Sequence, residues 1–363
     1  MEKFRIDKSK GIEIGLYSLG DHFPHAQSDK NVSEGQRLKE IVDAAILAEQ
    51  AGLDVIGVGE SHQEYFITSA NQVVLGAIAQ ATEKIKIASS VTVLSTADPV
   101  RVYEEYATID LLSGGRAEIV AGRASRLGAF ELLGYNVRDY EELFEEKMEL
   151  LIKLNSERIV NWKGKYRPAL ENAEIFPKPL NGSLPIWRGV GGPPTSAIKA
   201  GYQGVPMMLT TLGGHSAVFK ESVDIYRQVA KESGFDPAGL PVGTTTLAHI
   251  SKDSQQAMRE YYPYLNHAWQ NIRGGAYPKS AFAETASTQN AMMVGSPQQI
   301  IDKMLYQHEL YRHDRVLLQI DFGGVPYEMV ANTIELLATE VLPVVKKATQ
   351  PKETSQQNKE DKS

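Results

Sequence analysis

The chain has 363 residues, 42% of them hydrophobic and 23% charged, enough apolar side chain for one large core in an ordinary globular protein. A formal net charge of -7 offers no general attraction to nucleic-acid phosphates or anionic lipid, and the lack of cysteine excludes disulfides, thiolate metal sites and cysteine nucleophiles. The first residues lack the apolar core of a signal peptide and no run of about 20 apolar residues follows, so a cytoplasmic location with no membrane role is the expectation.

In chain order, short β-rich runs alternate with longer segments of helical period. Strands are expected over 12–17, 55–59, 85–93 and 117–121, with helices over 34–51, 71–81 and 99–112 between them. The second half continues with helix 139–154, strand 184–189, helix 195–201, strand 205–209, helix 216–233, strand 242–250 and helix 253–272. Helix 297–311, strand 316–321 and a closing helix over 327–347 complete the series. Parallel strands joined by helical crossovers require this alternation, and eight strands suit a closed (β/α)8 TIM barrel of the α/β class. Leu38, Ile41, Val42, Ala45, Ile46 and Ala48 place an apolar stripe on the first helix, and Gly52 stops it. Asp98 before Pro99 and Ser296 before Pro297 read as N-caps followed by first-turn prolines. The stretches 122–185 and 274–295 exceed a simple crossover and read as insertions that shape a pocket at the C-terminal face. Residues 1–348 are read as a single barrel domain and 349–363 as a disordered polar tail.

Candidate chemistry sits at the expected strand ends. Gly189, Val190, Gly191 and Gly192 end the fifth strand, and Thr195 and Ser196 open the next helix. Backbone N–H groups and a positive helix terminus can face a phosphate there, although a plain strand-to-helix turn uses the same glycines. Glu60 and His62 follow the second strand, where an imidazole could serve as acid or base or be a hydrogen-bonded structural group. His22 and His25 read as a solvent loop rather than an entrance, and nothing like H-E-x-x-H is present, so no metal is expected. His249 is as well placed for core as for function, and the cluster of Tyr261, Tyr262, Tyr264 and Trp269 reads as helix packing.

The segment SSVTVLSTADPVRVYEEYATIDLLSGGRAEIVAGRA, residues 89–124, resembles the third strand, third helix and fourth strand of the bacterial luciferase-like monooxygenase family. It includes that family's D-x-x-S-x-G-R turn, from Asp110 to Arg116, and the G-R-A that follows. LAEQAGLDVIGVGESH, PIWRGVGGPPTSA and VGSPQQIIDKM match in the same order, so the resemblance runs over about 12–345. It implies a luciferase-like barrel and a flavin-dependent oxidoreductase. The enzyme would use FMN, supplied reduced by a separate flavin reductase, with dioxygen to oxidise a small organic substrate. The resemblance assigns Arg123 to the flavin phosphate, with Ser125 and Arg126 as lesser candidates; a surface ion pair is the structural alternative for Arg123. It places Ser90, Val91 and Thr92 against the isoalloxazine ring, with a non-proline cis peptide at Ser90–Val91. Gly122 would lie near the reactive carbon of the ring, leaving room for an adduct or substrate, unless packing alone demands glycine. Thr210, Thr211 and the loop 212–215 would face the flavin tail or substrate. The family often carries E-H-H where this chain has Glu60, Ser61 and His62, so Glu60 and His62 are the catalytic candidates but the luciferase-type base does not carry over directly. A homodimer through helices on one side of the barrel is also implied.

Other readings remain. A reductase or dehydrogenase using the deazaflavin coenzyme occupies the same kind of barrel. A non-catalytic flavin-binding protein would keep the phosphate cradle and lose the acid-base group. A metal-dependent barrel hydrolase is the last alternative. No G-x-G-x-x-G fingerprint follows the first strand, so a built-in nicotinamide domain is not expected.

Overall fold

The computed structural model describes residues 2–27, 31–124 and 126–351. Its elements begin with β1 (Glu13–Ser18), α1 (Glu34–Gln50), β2 (Val55–Val58), α2 (Asn71–Ala81), β3 (Lys86–Ser89), β4 (Thr92–Val93), α3 (Pro99–Leu112) and β5 (Ala117–Gly122). Then come α4 (Gly128–Leu132), α5 (Tyr140–Ser156), β6 (Val160–Trp162), β7 (Leu170–Ala173), β8 (Ile186–Val190), α6 (Thr195–Gln203), β9 (Met207–Thr210), α7 (Lys220–Glu232) and β10 (Val242–Ile250). The last are α8 (Ser254–Arg273), α9 (Lys279–Ala283), β11 (Met293–Gly295), α10 (Pro297–Tyr311), β12 (Arg315–Gln319), α11 (Tyr327–Leu336) and α12 (Leu342–Thr349). Strands β1, β2, β3, β5, β8, β9, β10 and β12 pair in that order, all parallel. β12 pairs back onto β1 with Glu13 opposite Arg315, so the sheet closes into a (β/α)8 barrel.

Local chemistry accounts for most element ends. The Ser33 hydroxyl accepts from the Gln36 N–H, Asp98 from Val100 and Ser296 from Gln299, which satisfies amides that have no partner inside the helix. The closing helix departs from the expectation of one piece: a π-turn at Leu337–Val341 separates α11 from α12. Pro343 in the first turn of α12 has no N–H to donate back, and the turn absorbs that break. The expected strand over 85–93 is two short strands separated by Ser90 and Val91, whose shared peptide bond is cis. The insertion over 122–185 holds α4, α5 and the antiparallel hairpin β6–β7, while 274–295 holds α9 and leads into β11, which pairs with β10. Most of the expected tail lies outside the described residues. No described helix is long and apolar enough to cross a membrane.

Alternate strand residues point into the barrel, and they form distinct layers. Near the strand starts the layer is ionic. Arg315 donates to Glu118 at 2.6 and 3.1 Å and to Glu13 at 2.8 Å, and the Trp187 indole N–H donates to Glu118 at 3.0 Å. Lys86 pairs with Glu13. Burial alone would raise the Glu118 carboxyl, but Arg315 holds it below its ordinary value. The middle layer is apolar, with Val55, Ala88, Val120, Met208 and Leu317 packed with Trp187. Two residues further along the same inward series stand Ser90, Gly122, Thr210 and Gln319, with Gly189 above Trp187, and all five line a cavity. Strand period therefore sets the floor of the candidate site.

Candidate active site

The cavity has a volume of about 730 Å³ and opens at the C-terminal ends of the strands. This lies inside the roughly 300–1,000 Å³ range of small-molecule sites. On one wall, just after β2, His62 Nε2 lies 2.7 Å from Glu60 Oε1. The other Glu60 oxygen accepts the Val93 N–H at 2.8 Å, and the Glu60 N–H donates to the Val91 carbonyl at 2.9 Å. Glu60 is thus tied to the segment beside the cis Ser90–Val91 peptide by one carboxylate oxygen and by its own backbone N–H, and its other oxygen orients the imidazole through Nε2. Ser61 also lines the cavity, and its buried hydroxyl has no hydrogen-bond partner among the described residues.

The residues expected to hold a cofactor do not all reach this space. Ser90, Val91, Gly122, Arg123, Gly189, Val190 and Gly191 line it; Thr92, Gly192, Thr195 and Ser196 do not. Thr92 is turned away because its hydroxyl bonds the Tyr106 hydroxyl at 2.8 Å in the strand–helix layer. Ser196 faces the flank of the barrel, where its hydroxyl accepts from Arg188 at 3.2 Å. Gly122 does not leave room beside a ligand. A Cβ there would fall 2.4 Å from Val91 Cγ2, so the vacant side-chain position is filled by Val91 and packing demands the glycine. A Cβ on Gly191 or Gly192 would meet nothing within 4 Å, so that stretch of backbone is open. Arg123 lies beside it and is already paired: it donates to both Glu141 oxygens, at 2.6 and 2.7 Å. Ser125 lies outside the described residues.

Several lining residues were not singled out by the sequence. Trp269, Ile272 and Arg273 at the end of α8 turn into the cavity, so Trp269 is not simply helix packing. Their spacing puts them on one helix face, which was the available signal. Tyr17, Tyr277 and Phe322 join them; among the sequence's own candidates, Arg126 lines the cavity, and so do Thr210, Leu212 and Gly213 after β9. Thr211 is buried and donates to the Thr245 carbonyl, while His249 bonds Glu260 at 3.0 Å and does not line the cavity. His22 bonds the Val32 carbonyl at 2.7 Å.

Beside the cavity, after β1 and β12, lies a buried carboxylate pair. Asp21 accepts from the Gln319 amide at 2.8 Å and the Gly323 N–H at 3.2 Å; Asp321 accepts from the Ser18 hydroxyl at 2.5 Å and Arg37 at 3.3 Å. Burial first, then the charge of Asp321, pushes the Asp21 carboxyl from 3.8 up to about 7. The unfolded chain therefore loses this proton before the folded one. Stability from this group falls as the pH rises from about 4 to about 7, and is flat above that. Asp21→Asn should remove the decline, so its unfolding temperature should vary less than that of the wild type over this window. Parallel curves for the two proteins would contradict the assignment.

The luciferase-like monooxygenase family model matches residues 12–314. The chain belongs to that family. Among luciferase-like relatives, the oxygenase component of the flavin-dependent trigonelline monooxygenase of Acinetobacter baylyi is 24% identical, over 86% of this chain and 92% of that protein. The oxygenating constituent of 3,6-diketocamphane monooxygenase from Pseudomonas putida, solved with FMN, superposes with a TM-score of 0.74 at 16% identity, covering 92% of this chain and 98% of that one. An F420-dependent secondary alcohol dehydrogenase has a TM-score of 0.72 at 19% identity, covering 92% and 99%. These two structures share the luciferase-like barrel. Family membership makes the chain a flavin-dependent oxidoreductase of the monooxygenase type, and the C-terminal mouth of its barrel is where Glu60, His62 and Arg123 converge.

Proposed function

We propose that the cavity binds FMN, received in reduced form from a separate flavin reductase, and that the enzyme uses it with dioxygen to oxidise a small organic substrate. The observation that carries this reading is a cavity with two unlike ends. Open backbone at Gly191 beside Arg123 suits a phosphate, and the Glu60–His62 pair stands next to the Ser90–Val91 segment. The flavin supplies the redox chemistry when bound. Arg123 would exchange Glu141, whose side chain is 56% exposed and readily resolvated, for the phosphate. With Nε2 held by Glu60, His62 Nδ1 is the nitrogen that can move a proton to or from a bound ligand. The unpartnered Ser61 hydroxyl offers one more hydrogen bond. In this reading residues 1–348 act as one cytoplasmic catalytic unit, and the exposed Val73, Leu111 and Leu112 on α2 and α3 supply the apolar contact of a homodimer.

Anaerobic titration with FMN, riboflavin and the deazaflavin coenzyme tests the cofactor. Arg123→Ala should weaken FMN binding by about 1.5–3 kcal/mol, the worth of a charge-assisted hydrogen bond, and leave riboflavin, which has no phosphate, unchanged. Preference for deazaflavin would instead favour a hydride-transferring reductase or dehydrogenase. Tight FMN binding without turnover of any substrate would favour a flavin-binding protein, and no binding at all would overturn the proposal.

A further inference from the structure

The cavity carries more positive charge than a flavin phosphate uses. Three arginines line it, Arg123, Arg126 and Arg273, against one carboxylate, Glu60, which is engaged by His62. This is unusual in a chain of net charge -7. Arg123 is paired with Glu141, and the buried Arg37, Arg188 and Arg315 all have carboxylate partners. Among the described residues, neither Arg126 nor Arg273 has a carboxylate within salt-bridge distance. Arg126 lies over the Phe66 ring, 3.9 Å from its centroid, and Arg273 lies over Trp269 at 5.7 Å. Arg273 ends α8, after β10, and Arg126, in the loop after β5, reaches across to Phe66 after β2, so both guanidiniums lie on the side of the mouth away from Gly189. The surface between them is apolar, with Leu265, Trp269, Ile272, Met292 and Phe322.

Resting on the flavin reading, we propose that Arg126 and Arg273 form a second anion subsite, and that the substrate is an organic acid whose apolar body lies against Trp269, Ile272 and Phe322. Burial pulls the Arg126 guanidinium below its ordinary value; the charges of Asp21 and then Tyr17 oppose this, and Arg273 adds a smaller push in the same direction as burial. A carboxylate placed between the guanidiniums relieves both the burial and the like-charge repulsion, and planar forks receive it with directional hydrogen bonds. The apolar wall then gains contact area that a small inorganic anion cannot supply. Arg126 and Arg273 are binding residues in this proposal, and the redox step is left to the cofactor end of the cavity.

The test is calorimetric titration of the protein, with and without FMN, using 2-naphthoate, octanoate and the corresponding amides. Each acid should bind at least about tenfold more tightly than its amide, the scale of one charge-assisted contact. Arg126→Gln and Arg273→Gln should bring that ratio toward one while amide affinity and FMN affinity stay constant. Equal binding of acid and amide, binding of neither, or a ratio unchanged in both variants would overturn the subsite. Acid preference without FMN binding would overturn the flavin reading alone; FMN binding without acid preference would overturn the subsite alone.

Discussion

Arg315→Met should cost about 3–5 kcal/mol of stability, the usual consequence of removing one member of a buried charge pair. The guanidinium is fully buried and bonds Glu118 and Glu13, and it stacks over Trp187 at 4.6 Å from the ring centroid. Methionine can fill much of the volume, but it leaves Glu118 with only the Trp187 N–H and Glu13 with only Lys86. Glu118 would then be a buried carboxylate without a charged partner at the start of β5. Because Arg315 holds the Glu118 carboxyl low, the stability it contributes is present at neutral pH and is lost as pH falls through that lowered value. Adding Glu118→Gln to the variant should recover part of the loss. Denaturant unfolding checks both; a loss below about 1 kcal/mol, in the range of an exposed ion pair, would refute the claim that the plug acts as a buried network.

His62→Asn should lower turnover with supplied reduced FMN by about 10²–10⁴-fold, the range expected when a positioned acid or base is lost. FMN affinity should hold, because the end of the cavity proposed for the phosphate is built from β8 and the loop after β5 rather than from β2. Glu60→Gln should act differently. It keeps an oxygen for one partner but cannot serve both His62 and the Val93 N–H as a carboxylate does, so it should disturb the Ser90–Val91 segment and weaken flavin binding as well as turnover. The diagnostic result is the split: kcat falls alone in His62→Asn, and kcat and cofactor affinity fall together in Glu60→Gln. Unchanged kcat in His62→Asn would remove His62 from the chemistry.

Much of the barrel was legible because its signals are local. The strands β1, β2, β5 and β10 are short apolar or β-branched runs bounded by turns, and the caps at Asp98 and Ser296 lie directly before proline-started helices. The hairpin β6–β7 was missed because its strands are three and four residues long and largely exposed, so they lack an apolar alternation to read. The break before α12 was missed because helical periodicity continues across it, and only the effect of Pro343 on the backbone shows the interruption.

Side-chain chemistry at the site divides along the same line. The sequence by itself determined the eight-strand alternation, the family motifs and the positions of Glu60, His62, Arg123 and the 189–192 glycines at strand ends, because these depend on spacing along the chain. Only the tertiary structure decided which of them share a cavity, since that requires contacts between residues distant in sequence. Val91 fills the space beside Gly122, Tyr106 turns Thr92 away and Glu141 engages Arg123. Closure of the sheet brings Arg126, after β5, and Arg273, at the end of α8, into one cavity, and no local pattern contains that meeting.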